Sequence, residues 1–116
     1  MGVNEEKASV LSDCVGKGQS LLDLVEYAKD SIVSKTILNK SVGSLTLFAF
    51  DQGQGLSEHT SPYDAVVQVL DGMARITIGG ENKTVTQGQM IVMPANVPHA
   101  VNAEDRFKML LTMIRA

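Results

Sequence analysis

The sequence has no tryptophan, two tyrosines and three phenylalanines, so aromatic residues make up only 4 % of it. A core must therefore be built from leucine, isoleucine, valine and methionine, and six methionines are a generous share. The one cysteine, Cys14, rules out an internal disulfide. Nothing argues for an oxidising compartment, and a cytoplasmic protein is expected. No apolar run approaches the roughly 18 residues of a membrane-spanning helix. The start, Met1-Gly2-Val3-Asn4-Glu5-Glu6-Lys7, lacks the apolar centre of a signal peptide. Basic runs are missing too. Ten Lys+Arg against thirteen Asp+Glu leave a net charge of −3. That balance has neither the electrostatic footprint of a nucleic-acid binder nor an attraction to anionic membranes. Asp71-Gly72 and Gly79-Gly80 read as turns with no helix behind them, so no phosphate cradle and no nucleotide cofactor are expected. No Ser-His-Asp or Cys-His spacing is persuasive, and Cys14 stands in a polar leader away from any motif.

The 116 residues, 44 % hydrophobic and 20 % charged, suffice for one globular domain, since domains cluster near about 100–150 residues. Residues 1–19 read as a polar leader, loosely held, and residues 20–116 as a single domain. Ser20 to Ala28 has the only helical look: Ser20 can cap, Asp23 takes a capping-box position, and Leu21, Leu24, Val25 and Ala28 share a face. From residue 31 the pattern becomes short strands with turn residues between them. Strands are expected at 31–38, 44–50, 65–70, 73–78, 83–86, 90–93, 99–101 and 107–114, with 65–70 and 73–78 forming a hairpin about Asp71-Gly72. Many short strands at this spacing indicate an all-β sandwich or barrel.

The chain holds two histidines, and their contexts are alike. The first is Gly53-x5-His59-x-Ser61-x3-Ala65-x6-Gly72; the second is Gly88-x5-Pro94-x-Asn96-x2-His99, with Asn102 close behind. Both spacings resemble the two motifs of the cupins, G-x5-H-x-H-x3–4-E-x6-G and G-x5-P-x-G-x2-H-x3-N. The resemblance spans Gly53 to Asn102 and implies a double-stranded β-helix, or jelly-roll barrel, here with a short N-terminal helix. It also implies a metal site, with His59 and His99 as ligands of one divalent transition ion: zinc, iron, manganese, nickel or copper. This sequence departs from the pattern at four motif positions. Ser61 stands where the second histidine should be, Ala65 replaces the glutamate, and Asn96 replaces a glycine. Asparagine tolerates the left-handed backbone that such a glycine adopts. Asn102 falls one residue short of its motif position. A structural zinc site uses about four protein ligands and a catalytic one about three, so the ligand set is reduced.

Asp64 is a candidate replacement carboxylate, and the alternative for it is a turn cap after Pro62-Tyr63. Ser61, Tyr63, Asp64 and Gln68 are the candidate ligand-binding residues around the metal pair. Met90, Met93, Met109 and Met113 offer thioethers, soft ligands that invite a copper reading, but their apolar strands favour a role as core filler. Strands 65–70 and 107–114 are apolar on both faces, which a barrel of this length cannot bury alone; a two-fold homodimer is expected. The expected function is that of a small-molecule-binding cupin with a two-histidine metal site and no assigned reaction. The alternatives are a metal-dependent oxygenase or isomerase, and a non-catalytic ligand-binding or assembly module without metal.

Overall fold

The computed structural model describes residues 9–116. The first eight positions of the expected leader lie outside the described residues. Ten strands follow in chain order: β1 (Ser9–Val10), β2 (Ile32–Lys40), β3 (Gly43–Phe50), β4 (Gly55–His59), β5 (Asp64–Asp71), β6 (Met73–Ile78), β7 (Glu81–Thr86), β8 (Met90–Met93), β9 (His99–Asn102) and β10 (Phe107–Ile114). They form two antiparallel sheets, one ordered β1-β2-β3-β10-β5-β8 and the other β4-β9-β6-β7. This is the all-β jelly-roll barrel that the strand spacing and the motif resemblance imply.

The inner faces of the two sheets meet in one core. The larger sheet contributes Phe50, Ala65, Val67, Val69, Met93, Phe107 and Met109; the smaller contributes Ala74, Ile76, Val85 and Val101. Strict alternation along β5 sends Ala65, Val67 and Val69 inward and Val66, Gln68 and Leu70 outward. The outer face of the larger sheet is apolar as well, and part of it is covered from within the chain. Leu24, Val25 and Tyr27 lie over Leu47, Ala49, Leu70 and Leu110. Met90, Val92 and Ile114 stay exposed on that sheet.

That covering segment replaces the expected helix. Ser20 to Ala28 contains only a single 3-10 turn, Leu21–Asp23, and the Ser20 side chain makes no capping bond. Two helical turns have little stability of their own. Packing against the sheet wins instead. Val25 is buried, Tyr27 Oη donates to Asp71 Oδ2 at 2.6 Å, and Lys108 Nζ donates to Leu22 O at 2.6 Å. Arg106 and Lys108 both approach the Tyr27 ring, their charges 4.5 Å and 5.0 Å from its centroid. Burial, and then the Asp71 carboxylate, push the Tyr27 hydroxyl well above its usual range.

The expected hairpin of residues 65–70 with 73–78 does not form. β5 pairs with β10 and β8, whereas β6 pairs with β9 and β7. Gly72 is the corner at which the chain leaves one sheet for the other. Its φ is +76°, and a Cβ there would stand 2.5 Å from Arg106 O. The hairpin instead joins β6 to β7 over Gly79-Gly80, whose φ values of 57° and 85° give the left-handed pair that a two-residue turn needs.

Asp51 locks the start of β2 to the start of β10. Its Oδ2 accepts from Asp30 N at 2.8 Å, and its Oδ1 accepts from Arg106 Nη2 at 3.2 Å. Those bonds, from the Asp30 and Gln52 amides and then from Arg106, hold the carboxyl below the usual carboxylate range. A lowered folded value gives stability that is present above the unfolded carboxyl's pKa of about 3.9 and lost as pH falls through the folded one. Asp51→Asn is therefore expected to be less stable than the unaltered protein at neutral pH, with the gap closing on acidification below about pH 4. Urea unfolding of both proteins from pH 7 to pH 2 measures it; a gap that stays constant down to pH 2 contradicts the assignment.

Candidate functional site

His59 closes β4 and His99 opens β9, and the two are directly opposite in the β4–β9 pairing. Directly opposed residues of an antiparallel pair point to the same side of the sheet. The two rings accordingly meet edge to face, with centroids 4.4 Å apart and planes at 69°. His99 is buried and His59 exposed. Each ring is fixed in the same way by its own approach segment. His59 Nδ1 donates to Ser57 O at 2.8 Å, and His99 Nδ1 donates to Val97 O at 3.2 Å. A carbonyl only accepts, so each neutral ring carries its proton on Nδ1 and keeps the Nε2 lone pair free. A backbone carbonyl on the far nitrogen is also the usual support of a metal-binding imidazole.

The pair forms part of the wall of a cavity of about 130 Å³ between the two sheets. Ser61 completes its polar side. The rest is apolar: Leu56 from β4, Ala65 from β5, Val101 from β9, Leu111 from β10, and Met93, Met109 and Met113. A larger depression, about 590 Å³, runs along β7 and β8 beside Lys83, Thr84 and Met90. It is an open groove without a histidine or a carboxylate in its wall, whereas the smaller cavity is more recessed and holds both imidazoles. The smaller cavity is the candidate site.

The other candidate residues divide. Ser61 lines the cavity; its Oγ also accepts from Tyr63 N at 3.1 Å, and its carbonyl accepts from Asn96 N at 2.7 Å. Asn96 has a φ of 65°, the left-handed conformation expected where the motif has glycine. Tyr63 lies outside the cavity wall and is exposed. Asp64 Oδ1 accepts from Ala95 N at 2.8 Å, which makes it a clamp on the loop leading to His99; it does not line the cavity. Gln68 is three residues from Ala65, hence on the opposite face of β5, where it is exposed and opposite Met90 and Leu110. Among the described residues no group of three or more His, Cys, Asp and Glu side chains could close on a metal ion. The two imidazoles stand without a third such ligand. The cavity residues that the sequence left unassigned to a site are Leu56, Ala65, Val101, Leu111 and the three methionines. Their signal was the shared face of Met109, Leu111 and Met113 along β10, which alternation makes visible.

The sequence profile of the cupin domain family matches residues 46–115, a span that includes both histidines. Among solved structures, a conserved protein of unknown function from Streptococcus pyogenes superposes with a TM-score of 0.83 at 40 % identity, covering 86 % of this chain and 88 % of the other. A cupin 2 conserved barrel domain protein from Leptotrichia buccalis gives 0.78 at 41 % identity, over 80 % of this chain and 45 % of that one. A cupin superfamily protein from Desulfitobacterium hafniense gives 0.82 at 25 % identity, over 86 % and 92 %. A curated relative, an uncharacterized protein of Streptomyces coelicolor, is 39 % identical over 61 residues. That match covers 53 % of this chain and 55 % of the relative, so the chain spans about half the length of the curated protein it matches.

Proposed function

The chain belongs to the cupin domain family, and from that premise we propose that it is a small-molecule-binding protein whose cavity ends in a two-imidazole seat for one metal ion. The observation that carries this reading is the edge-to-face pair of His59 and His99, each with Nδ1 engaged by a carbonyl and Nε2 free. The donor set fits an ion. Ring centroids 4.4 Å apart allow both rings to reach one centre, given metal–nitrogen bonds of about 2.0–2.1 Å. His59 and His99 would hold it, and it would supply a Lewis-acidic point to which an oxygen or nitrogen of the small molecule attaches.

The protein's own residues set the size and character of that molecule. A cavity of about 150 Å³ holds a benzene ring, so 130 Å³ admits a molecule of that size or smaller. The leucine, valine and methionine wall favours an apolar body, and the histidine end favours one polar group directed at it. Binding rather than turnover is the reading, because the carboxylate nearest in the motif, Asp64, is committed to Ala95 N. The exposed Met90, Val92 and Ile114 keep the physical motive for a two-fold dimer.

The test is uptake of Co(II) by metal-stripped protein. One Co(II) per chain is expected at neutral pH. Uptake should weaken on acidification, because only the neutral imidazole has a lone pair to offer. A folded protein that takes up no Co(II) at neutral pH overturns the two-histidine seat.

A further inference from the structure

Five of the ten residues that line the cavity between the sheets carry soft or borderline donors: His59, His99, Met93, Met109 and Met113. None carries a carboxylate. Met93 and Met109 are 4 % and 1 % exposed, so their sulfurs are shielded from water. Resting on the two-histidine reading above, we infer that this cavity is a Cu(I) site, in which a methionine thioether joins His59 and His99 as a ligand and leaves one position for the small molecule.

Softness selects this ion, in a wall that offers no carboxylate: the cupin motif position for one is Ala65 here, and Asp64 bonds Ala95 N instead. Thioether sulfur and imidazole nitrogen are ligands that Cu(I) accepts, while Mg, Ca and Mn want carboxylate, carbonyl and water oxygen. Methionine also adapts: three rotatable bonds let a thioether reach an ion without moving its strand.

The competing role for these methionines is plain core filling, and leucine separates the two. Met→Leu conserves volume and is tolerated in cores, but it removes the sulfur. The experiment uses the full chain carrying Cys14→Ser, so that no thiol competes. It is titrated anaerobically with Cu(I) against a bicinchoninate competitor. One Cu(I) per chain is expected, with sulfur as well as nitrogen scattering in the X-ray absorption spectrum. Adding Met93→Leu, Met109→Leu and Met113→Leu together should lower Cu(I) affinity at least 100-fold and leave Co(II) uptake at the histidines within a few-fold. Cu(I) bound with nitrogen scattering alone, or affinity unchanged by the leucines, overturns the thioether site. Co(II) uptake without Cu(I) uptake overturns it too and leaves the two-histidine reading intact. Uptake of neither ion overturns both. If the triple variant does not fold, the sulfur scattering of the Cys14→Ser protein decides alone.

Discussion

His59→Ala and His99→Ala should each abolish Co(II) uptake, lowering affinity by at least about 100-fold, and yet differ in their effect on stability. Loss of an outer-shell partner of a metal ligand already costs about 10–100-fold. Here a ligand itself is removed, and no third His, Cys, Asp or Glu among the described residues stands ready to replace it. The stability effects divide by burial. His59 is exposed, and a surface truncation stays within about 0.5 kcal/mol. His99 is 5 % exposed, and it faces both Ile78 on β6 and His59 on β4 across its strand. Its removal leaves Val97 O without its partner and opens the sheet wall, which should cost about 1–3 kcal/mol. Co(II) titration and urea unfolding of the same two variants measure both effects. Uptake preserved in either variant contradicts the shared seat, and equal destabilisation contradicts the assignment of only one ring to the interior.

Much of this site is legible in the sequence because its spacing is local. The offsets around His59 and His99 place each ring at a strand end, and Asn96 in place of glycine marks a left-handed residue that the structure shows at φ 65°. Alternation along β5 and β10 correctly separates inner from outer side chains. Other features depend on what a strand meets, and periodicity carries no information about that. Residues 65–70 and 73–78 read as a hairpin because a turn joins them, but Gly72 is a corner between sheets, set by the approach of Arg106 and Phe107 from the far end of the chain. The helical pattern of Ser20 to Ala28 is real as a pattern. It yields to Tyr27 and Val25 because their partners, Asp71, Ala49 and Leu47, lie on strands that the segment itself cannot specify. Tyr63 and Asp64 sit where the loop enters β5, so alternation does not fix their direction. Gln68 could have been excluded, since its offset of three from Ala65 puts it on the wrong face. The methionines were classed by strand alone; their meaning changes once β8 and β10 converge on the wall that carries the two imidazoles.

The scarcity of aromatic residues makes the last expectation a sharp one. Phe107→Ala should destabilise the barrel by about 3–5 kcal/mol, the range for truncating a fully buried phenylalanine. Phe107 is 0 % exposed and stacks on Phe50 with ring centroids 4.6 Å apart and planes within 8°. Phe48 adds a tilted contact to Phe50 at 5.9 Å. The three phenylalanines of the chain thus form one chain of contacts. Phe107 is the member that joins elements: it opens β10, pairs in register with Phe50 of β3, and lies against the Gly72 corner where β5 hands over to β6. No tryptophan exists to take up the space, and the nearby aliphatic side chains are anchored in strands paired on both sides. The void should therefore persist, and cavity cost adds to the lost transfer energy. Total stabilities of such domains run to about 5–15 kcal/mol, so the variant should unfold at far lower urea concentrations and lose a large part of its native margin. Phe107→Leu retains most of the volume and should cost less, about 1–2 kcal/mol. Equilibrium urea unfolding of both variants gives the two values. A loss under 1 kcal/mol for Phe107→Ala, with an unchanged denaturant slope, means that the corner at Gly72 and the β3–β10 ladder hold the two sheets together without the aromatic stack.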